Sequence, residues 1–264
     1  MAQPNVLILR APGTNCDQET AFAFEQAGAR SELLHINRLL EEPALFERFQ
    51  IACIPGGFSY GDDVAAGRIL GNQIRHHLGG RLAEFKEAGK LILGICNGFQ
   101  VLLKSDVLLP PEQGKPPAAT LTWNDSGRFE DRWVRLGVEG TKCVFLRGIE
   151  SMYLPVAHAE GKFVSRDKEA LGQREAGGQL VLRYRRLGAG GDGQQHGPVP
   201  YPDNPNGSEA EVAGICDVTG RVLGLMPHPE RHIDPTQHPR WTRGEAGEVG
   251  DGLAVFTNAV EYFA

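Results

Sequence analysis

The chain has 264 residues, of which 41% are hydrophobic, and its formal net charge is -6. This length can bury a sizeable core, so we predict a single α/β domain over residues 1–264. The acidic balance argues against a nucleic-acid partner, and the short basic run at residues 183–186 is interpreted as a solvated surface. The first residues show neither a signal-peptide pattern nor a long apolar stretch, so we expect no membrane association and a cytoplasmic location.

The first part of the chain alternates between strand and helix patterns. Short apolar runs predict buried strands at residues 6–9, 31–36, 51–54 and 91–95. Helical patterns lie between them, at residues 17–27, 43–49, 69–78 and 81–88. Asn15 followed by Gln18 indicates a capping box at the first helix. This alternation predicts an open, mostly parallel sheet flanked by helices.

The pattern changes after residue 110, where no further strand–helix alternation is seen. Extended segments predict added antiparallel strands at residues 119–124, 132–136, 142–145, 152–158 and 179–184. Two further strands are predicted at residues 213–218 and 222–226. Residues 188–208 and 234–250 are rich in Gly, Pro and polar residues and predict long loops. An amphipathic helix is predicted at residues 251–263.

Five cysteines are scattered along the chain without a Cys-x-x-Cys pair, which predicts neither a disulfide framework nor a zinc knuckle. Cys96 has distinctive neighbours, because Gly94-Ile95-Cys96-Asn97-Gly98 follows a buried strand and precedes a helical pattern at residues 99–104. This arrangement is typical of a nucleophile elbow. The helix N-terminus favours a thiolate, and the Asn97 N–H is suited to stabilise an oxyanion. Considered alone, the motif fits an inert buried cysteine equally well.

Two further segments end at the same predicted edge of the sheet. Pro55-Gly56-Gly57 follows the strand at residues 51–54, and Gly57 N–H is our candidate for the second oxyanion donor. Met226-Pro227-His228-Pro229-Glu230 follows the last strand. There His228 can act as a base, and the carboxylate of Glu230 can orient its ring. Binding of a metal by His228, Glu230 and His232 is an alternative, but no other histidine has a matching spacing, and we expect no metal.

These motifs, in this order, resemble class I glutamine amidotransferases. More specifically, the chain resembles the small glutaminase subunits of phosphoribosylformylglycinamidine synthase. The blocks that carry this resemblance are residues 12–17, 55–62, 96–100, 158–161, 204–208 and 226–231.

The resemblance implies a flavodoxin-like fold and a defined set of site residues. The loop at residues 158–161 is expected to line the site as well. The expected roles are Cys96 as nucleophile, His228 as base and acid, Glu230 as its orienting group, Gly57 and Asn97 as oxyanion hole, and Gln100 as a contact for bound glutamine.

The resemblance also implies partners. The chain would hydrolyse glutamine and pass ammonia to a synthetase subunit, which converts formylglycinamide ribonucleotide into its amidine with ATP and Mg²⁺; a small third subunit is also expected. No cofactor is expected on this chain, since the P-loop pattern is absent.

Two alternatives remain open at this stage: a stand-alone γ-glutamyl hydrolase, and a non-catalytic protein that senses oxidants through Cys96. Residues 110–117, 188–202 and 237–250 depart from the usual pattern of the small subunit, which leaves the partner interface open.

Overall fold

The computed structural model describes residues 3–187 and 198–264. Its strands are β1 (Asn5–Arg10), β2 (Arg30–His35), β3 (Ile51–Ile54), β4 (Leu91–Ile95), β5 (Ala119–Thr122), β6 (Glu130–Val138), β7 (Ser151–His158), β8 (Lys162–Ser165), β9 (Leu182–Arg185), β10 (Val212–Cys216) and β11 (Val222–Leu225). Its α-helices are α1 (Asp17–Gln26), α2 (Ile36–Glu41), α3 (Arg68–Gln73), α4 (Gly79–Glu87), α5 (Asn97–Lys104), α6 (Lys168–Ala176) and α7 (Leu253–Glu261).

Within the described residues, nine strands form one sheet in the order β2-β1-β3-β4-β11-β10-β9-β6-β7. The first five are parallel, and their order is the one found in flavodoxin-like folds. The four others pair antiparallel. A parallel sheet flanked by helices and extended by antiparallel strands is the predicted fold, and it is confirmed.

The central strands are hydrophobic on both faces because helices cover the sheet from both sides. All residues of β3, β4 and β11 are buried. In the register, Leu225 of β11 lies opposite Ile95 of β4, and Ile54 of β3 lies opposite Gly94. The three strands therefore end side by side, and the loops that follow them meet at one edge.

Strand β7 lies at the far edge of the sheet, yet its end returns to the same place. The His228 N–H donates a 2.9 Å hydrogen bond to the Pro155 carbonyl of β7. An edge strand has free backbone groups on one side. Here the carbonyls of β7 that no strand pairs with face the loop that follows β11.

The first helix begins differently from the prediction. The prediction of a capping box formed by Asn15 and Gln18 is wrong. Cys16 is the N-cap residue, and no side chain caps α1. The Asn15 side-chain oxygen instead accepts a 3.2 Å hydrogen bond from the thiol of Cys16. Helix α5 begins at Asn97 rather than at residue 99.

The C-terminal half differs in more places. Residues 142–145 are not a strand, because Val144–Leu146 form a 3₁₀ turn whose Val144 N–H donates to Gly220. Strand β8 and helix α6 were not predicted. Residues 183–186 are not a solvated surface, since most of them belong to β9 and Tyr184 is fully buried.

Two of the unusual segments are held by specific contacts. Glu112, within residues 110–117, pairs with Arg166 and Arg174. Within residues 237–250, the His238 ring packs against Trp133, 5.9 Å between ring centroids. In the third segment, residues 188–197 lie outside the described residues. No helix in the described part of the chain is long and apolar enough to cross a membrane.

Candidate active site

Cys96 occupies a strained turn between β4 and α5. Its φ is 51°, in a region that non-glycine residues rarely adopt. The flanking glycines permit close packing: a Cβ on Gly98 would lie 1.8 Å from the Ile54 carbonyl oxygen, and one on Gly94 would lie 2.7 Å from the Gly98 carbonyl oxygen. The glycines therefore let α5 approach the strands, which fixes the position of the Cys96 thiol.

His228 and Glu230 form a tight buried pair. His228 Nδ1 lies 2.6 Å from Glu230 Oε1, and each residue is only 2% exposed. Burial lowers the pKa of His228, but the negative charges of Glu230 and of a thiolate at Cys96 outweigh it and hold this pKa well above its ordinary value. The ring therefore favours the protonated form that would accompany a thiolate.

The other ring nitrogen of His228, Nε2, is buried and has no hydrogen-bond partner among the described residues. The Cys16 thiol lies within 4.8 Å of a ring nitrogen of this histidine, and interactions with Cys16 and Cys96 both raise the pKa of His228. A Cβ on Gly56 would lie 2.8 Å from His228 Cε1, 3.1 Å from Cys16 Sγ and 3.4 Å from Cys96 Cβ. Gly56 thus marks the point at which the base and two thiols converge, and no side chain fits there.

The two predicted oxyanion donors lie at the ends of neighbouring strands. Gly57 has a φ of 141°, and a Cβ there would lie 2.8 Å from the Gly13 carbonyl oxygen, so only glycine fits. In the described part of the chain, neither the Gly57 N–H nor the Asn97 N–H donates to a backbone carbonyl. Within the described residues, no carbonyl of a turn or loop therefore occupies either donor.

The Asn97 side chain forms hydrogen bonds with the loop that follows β3. Its carboxamide accepts from the Ser59 N–H at 3.2 Å and donates to Asp62 at 3.0 Å. It also donates to Gln100 Oε1 at 2.9 Å. These bonds tie the turn that carries Gly57 to the helix that carries Cys96.

The segment after β7 covers the site. The Cys96 Sγ lies 3.7 Å from the Ala157 carbonyl oxygen, and Gln100 donates a 2.6 Å hydrogen bond to the Glu160 carbonyl. The Glu160 carboxylate accepts from the Ala66 N–H at 3.3 Å. Cys96 is consequently only 5% exposed. Both polar ends of Gln100 are bonded within the protein, and its contact with glutamine stays a prediction.

His158, at the end of β7, is a neutral histidine next to the site. Burial, and then the charge of His228, lower the pKa of His158 to about 3. Its Nδ1 lies 3.1 Å from Asn124 Oδ1, while Nε2 is buried without a described partner. It therefore adds no positive charge beside His228.

The residues weighed as metal ligands do not assemble as expected. His232 turns away from His228 and Glu230: its Nδ1 lies 2.8 Å from the Tyr153 carbonyl oxygen, and its ring packs edge-on against Trp133. Ligand atoms of His228 and Glu230 instead lie within 4.8 Å of the Cys16 thiol.

The sequence interpretation missed Cys16 and Gly56. A signal was available for both, since Cys16 follows β1 and Gly56 follows β3. Flavodoxin-like sheets bind ligands between these two strands, where the strand order reverses.

The comparisons with known proteins agree with this geometry. Residues 3–263 match the family model described as the CobB/CobQ-like glutamine amidotransferase domain. A protein of Dehalococcoides mccartyi, named phosphoribosylformylglycinamidine synthase subunit PurQ, is 49% identical over 99% of this chain and 98% of its own length. This chain belongs to the PurQ family of glutamine amidotransferases.

More distant PurQ-family relatives match the same length. The protein of that name from Methanococcus maripaludis strain S2 is 40% identical over 98% of this chain and 97% of its own length. A chain in the structure of PurLQS from Thermotoga maritima superimposes with a TM-score of 0.74 at 29% identity, and all of both chains is covered. The PurQ-family assignment thus extends over the whole chain.

Proposed function

We propose that this chain is the glutaminase subunit of phosphoribosylformylglycinamidine synthase. It releases ammonia from glutamine, and a synthetase subunit uses that ammonia to convert formylglycinamide ribonucleotide into formylglycinamidine ribonucleotide in purine biosynthesis. The observation that carries this proposal is the buried 2.6 Å contact between His228 and Glu230 beside the strained turn of Cys96. These three groups are the parts that covalent amide cleavage requires.

In the first half of the reaction, the Cys96 thiolate attacks the side-chain amide carbon of glutamine. The oxyanion that forms is held by the Gly57 and Asn97 N–H groups, each contributing about 3 kcal/mol to lowering the barrier. His228 gives its Nε2 proton to the departing nitrogen, which leaves as ammonia. Glu230 holds Nδ1 throughout and so keeps Nε2 directed at the reacting atoms.

In the second half, water hydrolyses the thioester. His228, now neutral, takes a proton from the water, and glutamate leaves with the Cys96 thiolate restored. Dividing one amide cleavage into two acyl transfers replaces a high barrier with two lower ones. Gln100 completes the site as a contact for bound glutamine once Glu160 releases its side chain.

We extend the proposal to the other components of the reaction. ATP and Mg²⁺ are used by the synthetase subunit, and this chain binds no cofactor of its own. A small third subunit takes part in the complex, as the related structure named PurLQS contains more than one kind of subunit. The chain acts as a single domain over residues 1–264 and works in the cytoplasm.

The test is amidine formation by the reconstituted complex, measured once with glutamine and once with ammonium salt as the nitrogen source. Adding this chain to the synthetase should create the glutamine-dependent reaction and leave the ammonium-dependent one unchanged. Glutamate release by the isolated chain should be slow. Fast release without the synthetase, together with no gain in amidine formation, contradicts the proposal and favours a stand-alone γ-glutamyl hydrolase.

A further inference from the structure

Two thiols face a single base in this site, although the proposed reaction uses only one of them. Cys16 is 1% exposed and lies in the loop after β1, next to Gly56, which is also a neighbour of Cys96. One methyl-sized position separates the Cys16 Sγ from the Cys96 Cβ, because a Cβ on Gly56 would touch both. Among the described residues, the buried Nε2 of His228 has no hydrogen-bond partner, so no other group competes with the two thiols for it.

The surroundings of Cys16 differ from those of an inert core cysteine. Its Sγ accepts a 3.2 Å hydrogen bond from the Arg231 guanidinium, which Glu19 holds at 2.8 Å. Burial raises the pKa of the Cys16 thiol to about 11, against the opposing effects of His228 and Arg231. At rest, Cys16 is therefore a protonated thiol with a cation and a base next to it.

We propose that Cys16 is a resolving cysteine, which closes a disulfide with Cys96 after a peroxide has oxidised the Cys96 thiolate. The proposal rests on the proposed function in one respect, namely that Cys96 is the reactive thiolate of the site. It adds a second chemical outcome for the same sulfur atom and a role for Cys16.

The chemistry balances with hydrogen peroxide as the oxidant. The Cys96 thiolate attacks one peroxide oxygen and the O–O bond breaks, so that Cys96 becomes a sulfenic acid. The leaving hydroxide takes the Nε2 proton of the protonated His228 ring and becomes water, which leaves His228 neutral. Cys16 then gives its proton to His228 Nε2, and its sulfur attacks the Cys96 sulfur. The S–O bond breaks, and the leaving hydroxide takes the proton from His228 to form a second water.

The outcome protects the enzyme. A sulfenic acid without a nearby thiol proceeds to sulfinic acid, which is irreversible for most proteins, whereas a disulfide is reduced by ordinary thiols. The structure holds the second thiol where it can intercept the first oxidation product. Oxidation therefore stops glutamine hydrolysis reversibly.

The chain contains its own comparison pair. Cys143 and Cys216 are also neighbouring thiols, since the Cys143 thiol interacts with that of Cys216. Both are buried, and burial raises the pKa of Cys143 well above its ordinary value. In the described part of the chain, no histidine contributes to this shift, so we expect this pair to stay reduced when Cys16 and Cys96 react.

The experiment treats the purified chain, and separately its complex with the synthetase, with a small excess of hydrogen peroxide. Proteolysis without reduction and mass spectrometry should identify a Cys16–Cys96 linked peptide, two hydrogens lighter than the sum of its parts. Glutamine-dependent activity should be lost and should return with dithiothreitol. Peptides containing Cys143 and Cys216 should remain free thiols.

A Cys16→Ser variant provides the second measurement, with each protein compared with its own untreated activity. We expect this variant to lose activity to peroxide without recovery and to accumulate Cys96 sulfinic acid, while Cys143→Ser should behave as wild type. Absence of the linked peptide from oxidised wild type overturns the proposal, and so does equal recovery of Cys16→Ser. The peptide measurement does not depend on glutaminase activity, so a failure of the proposed function is seen separately.

Discussion

The parallel strands β3, β4 and β11 end in loops that carry the proposed reacting groups, whereas the antiparallel strand β7 ends in a segment that covers them. The first region contributes side chains with defined chemistry, namely Cys96, His228 and Glu230. The second contributes backbone carbonyls, from Pro155, Ala157 and Glu160. Substitutions in the parallel region should therefore change the reaction itself, while those near the cover should mainly change stability or access.

The largest effect is expected from removing the nucleophile. Cys96→Ala should lower glutamine-dependent amidine formation by about 10⁵- to 10⁶-fold, because no covalent intermediate can form. Ammonium-dependent activity of the complex should be unchanged, and Cys143→Ala should retain both activities. Substantial glutaminase activity in Cys96→Ala would contradict the assignment of Cys96 as the nucleophile.

Removing the charge beside His228 should reduce glutamine-dependent activity less than removing the nucleophile does. Glu230→Gln should reduce kcat/KM for glutamine by about 10⁴-fold, because an amide neither fixes the tautomer nor stabilises the imidazolium. Since the Glu230 charge raises the pKa of His228, the alkaline limb of the pH profile should move to lower pH. The control is Glu25→Gln on the exposed surface of α1. An unchanged pH profile in Glu230→Gln contradicts this role.

Adding a methyl group at Gly56 tests whether His228, Cys16 and Cys96 meet around this residue. In Gly56→Ala the new Cβ would lie 2.8 Å from His228 Cε1, and displacing the ring by a fraction of an ångström should lower kcat about 100-fold. Gly172→Ala in α6 is the matched control, since nothing lies within 4 Å of a Cβ there. Full activity in Gly56→Ala would show that the base and the thiols do not meet as described.

The smallest expected effect concerns the antiparallel region, and it is a change in the free energy of unfolding with pH. Because the pKa of His158 is lowered to about 3, between this value and about pH 6.5 the histidine is protonated only in the unfolded chain. Its contribution to folding is therefore complete above pH 6.5 and is lost as the pH falls.

Urea unfolding at pH 7.5 and pH 5.5 measures this loss. Between these values the wild type should lose about 1.4 kcal/mol more stability than His158→Gln. The raised pKa of His228 acts in the opposite direction, as its contribution fades with rising pH, but it is common to both proteins. The control is His77→Gln, at an exposed position. Equal losses in wild type and His158→Gln contradict a buried neutral His158.

The sequence predicted the parallel region better than the antiparallel one for a physical reason. Buried parallel strands need continuous apolar runs, and β3 and β4 show them clearly. Half-buried antiparallel strands give a weaker pattern, and the short strand β8 and the turn at Val144–Leu146 did not stand out. Cys96, His228 and Glu230 could be singled out as catalytic candidates because each follows such a run.

The cover could not be predicted from residue type, and the resemblance alone placed the loop at residues 158–161 at the site. The contacts of Pro155, Ala157 and Glu160 with the site use carbonyl oxygens, which every residue has, so residue type carries no information about them. Cys16 was missed for another reason: its place at the site follows from the sheet order, in which β1 lies beside β3, and not from a motif around it. Sequence patterns therefore reveal the chemistry before they reveal its surroundings.

The free edge of β7 has a consequence for how this enzyme tolerates change. Carbonyls at Pro155 and Ala157 point the same way because they are two residues apart in a strand. Point substitutions at these two half-buried positions leave the carbonyls in place, so a mutational scan of Pro155 and Ala157 should return few inactive variants. Deleting one residue, however, reverses the direction of every carbonyl beyond it. Natural variation along this edge should thus consist of exchanged side chains at constant length.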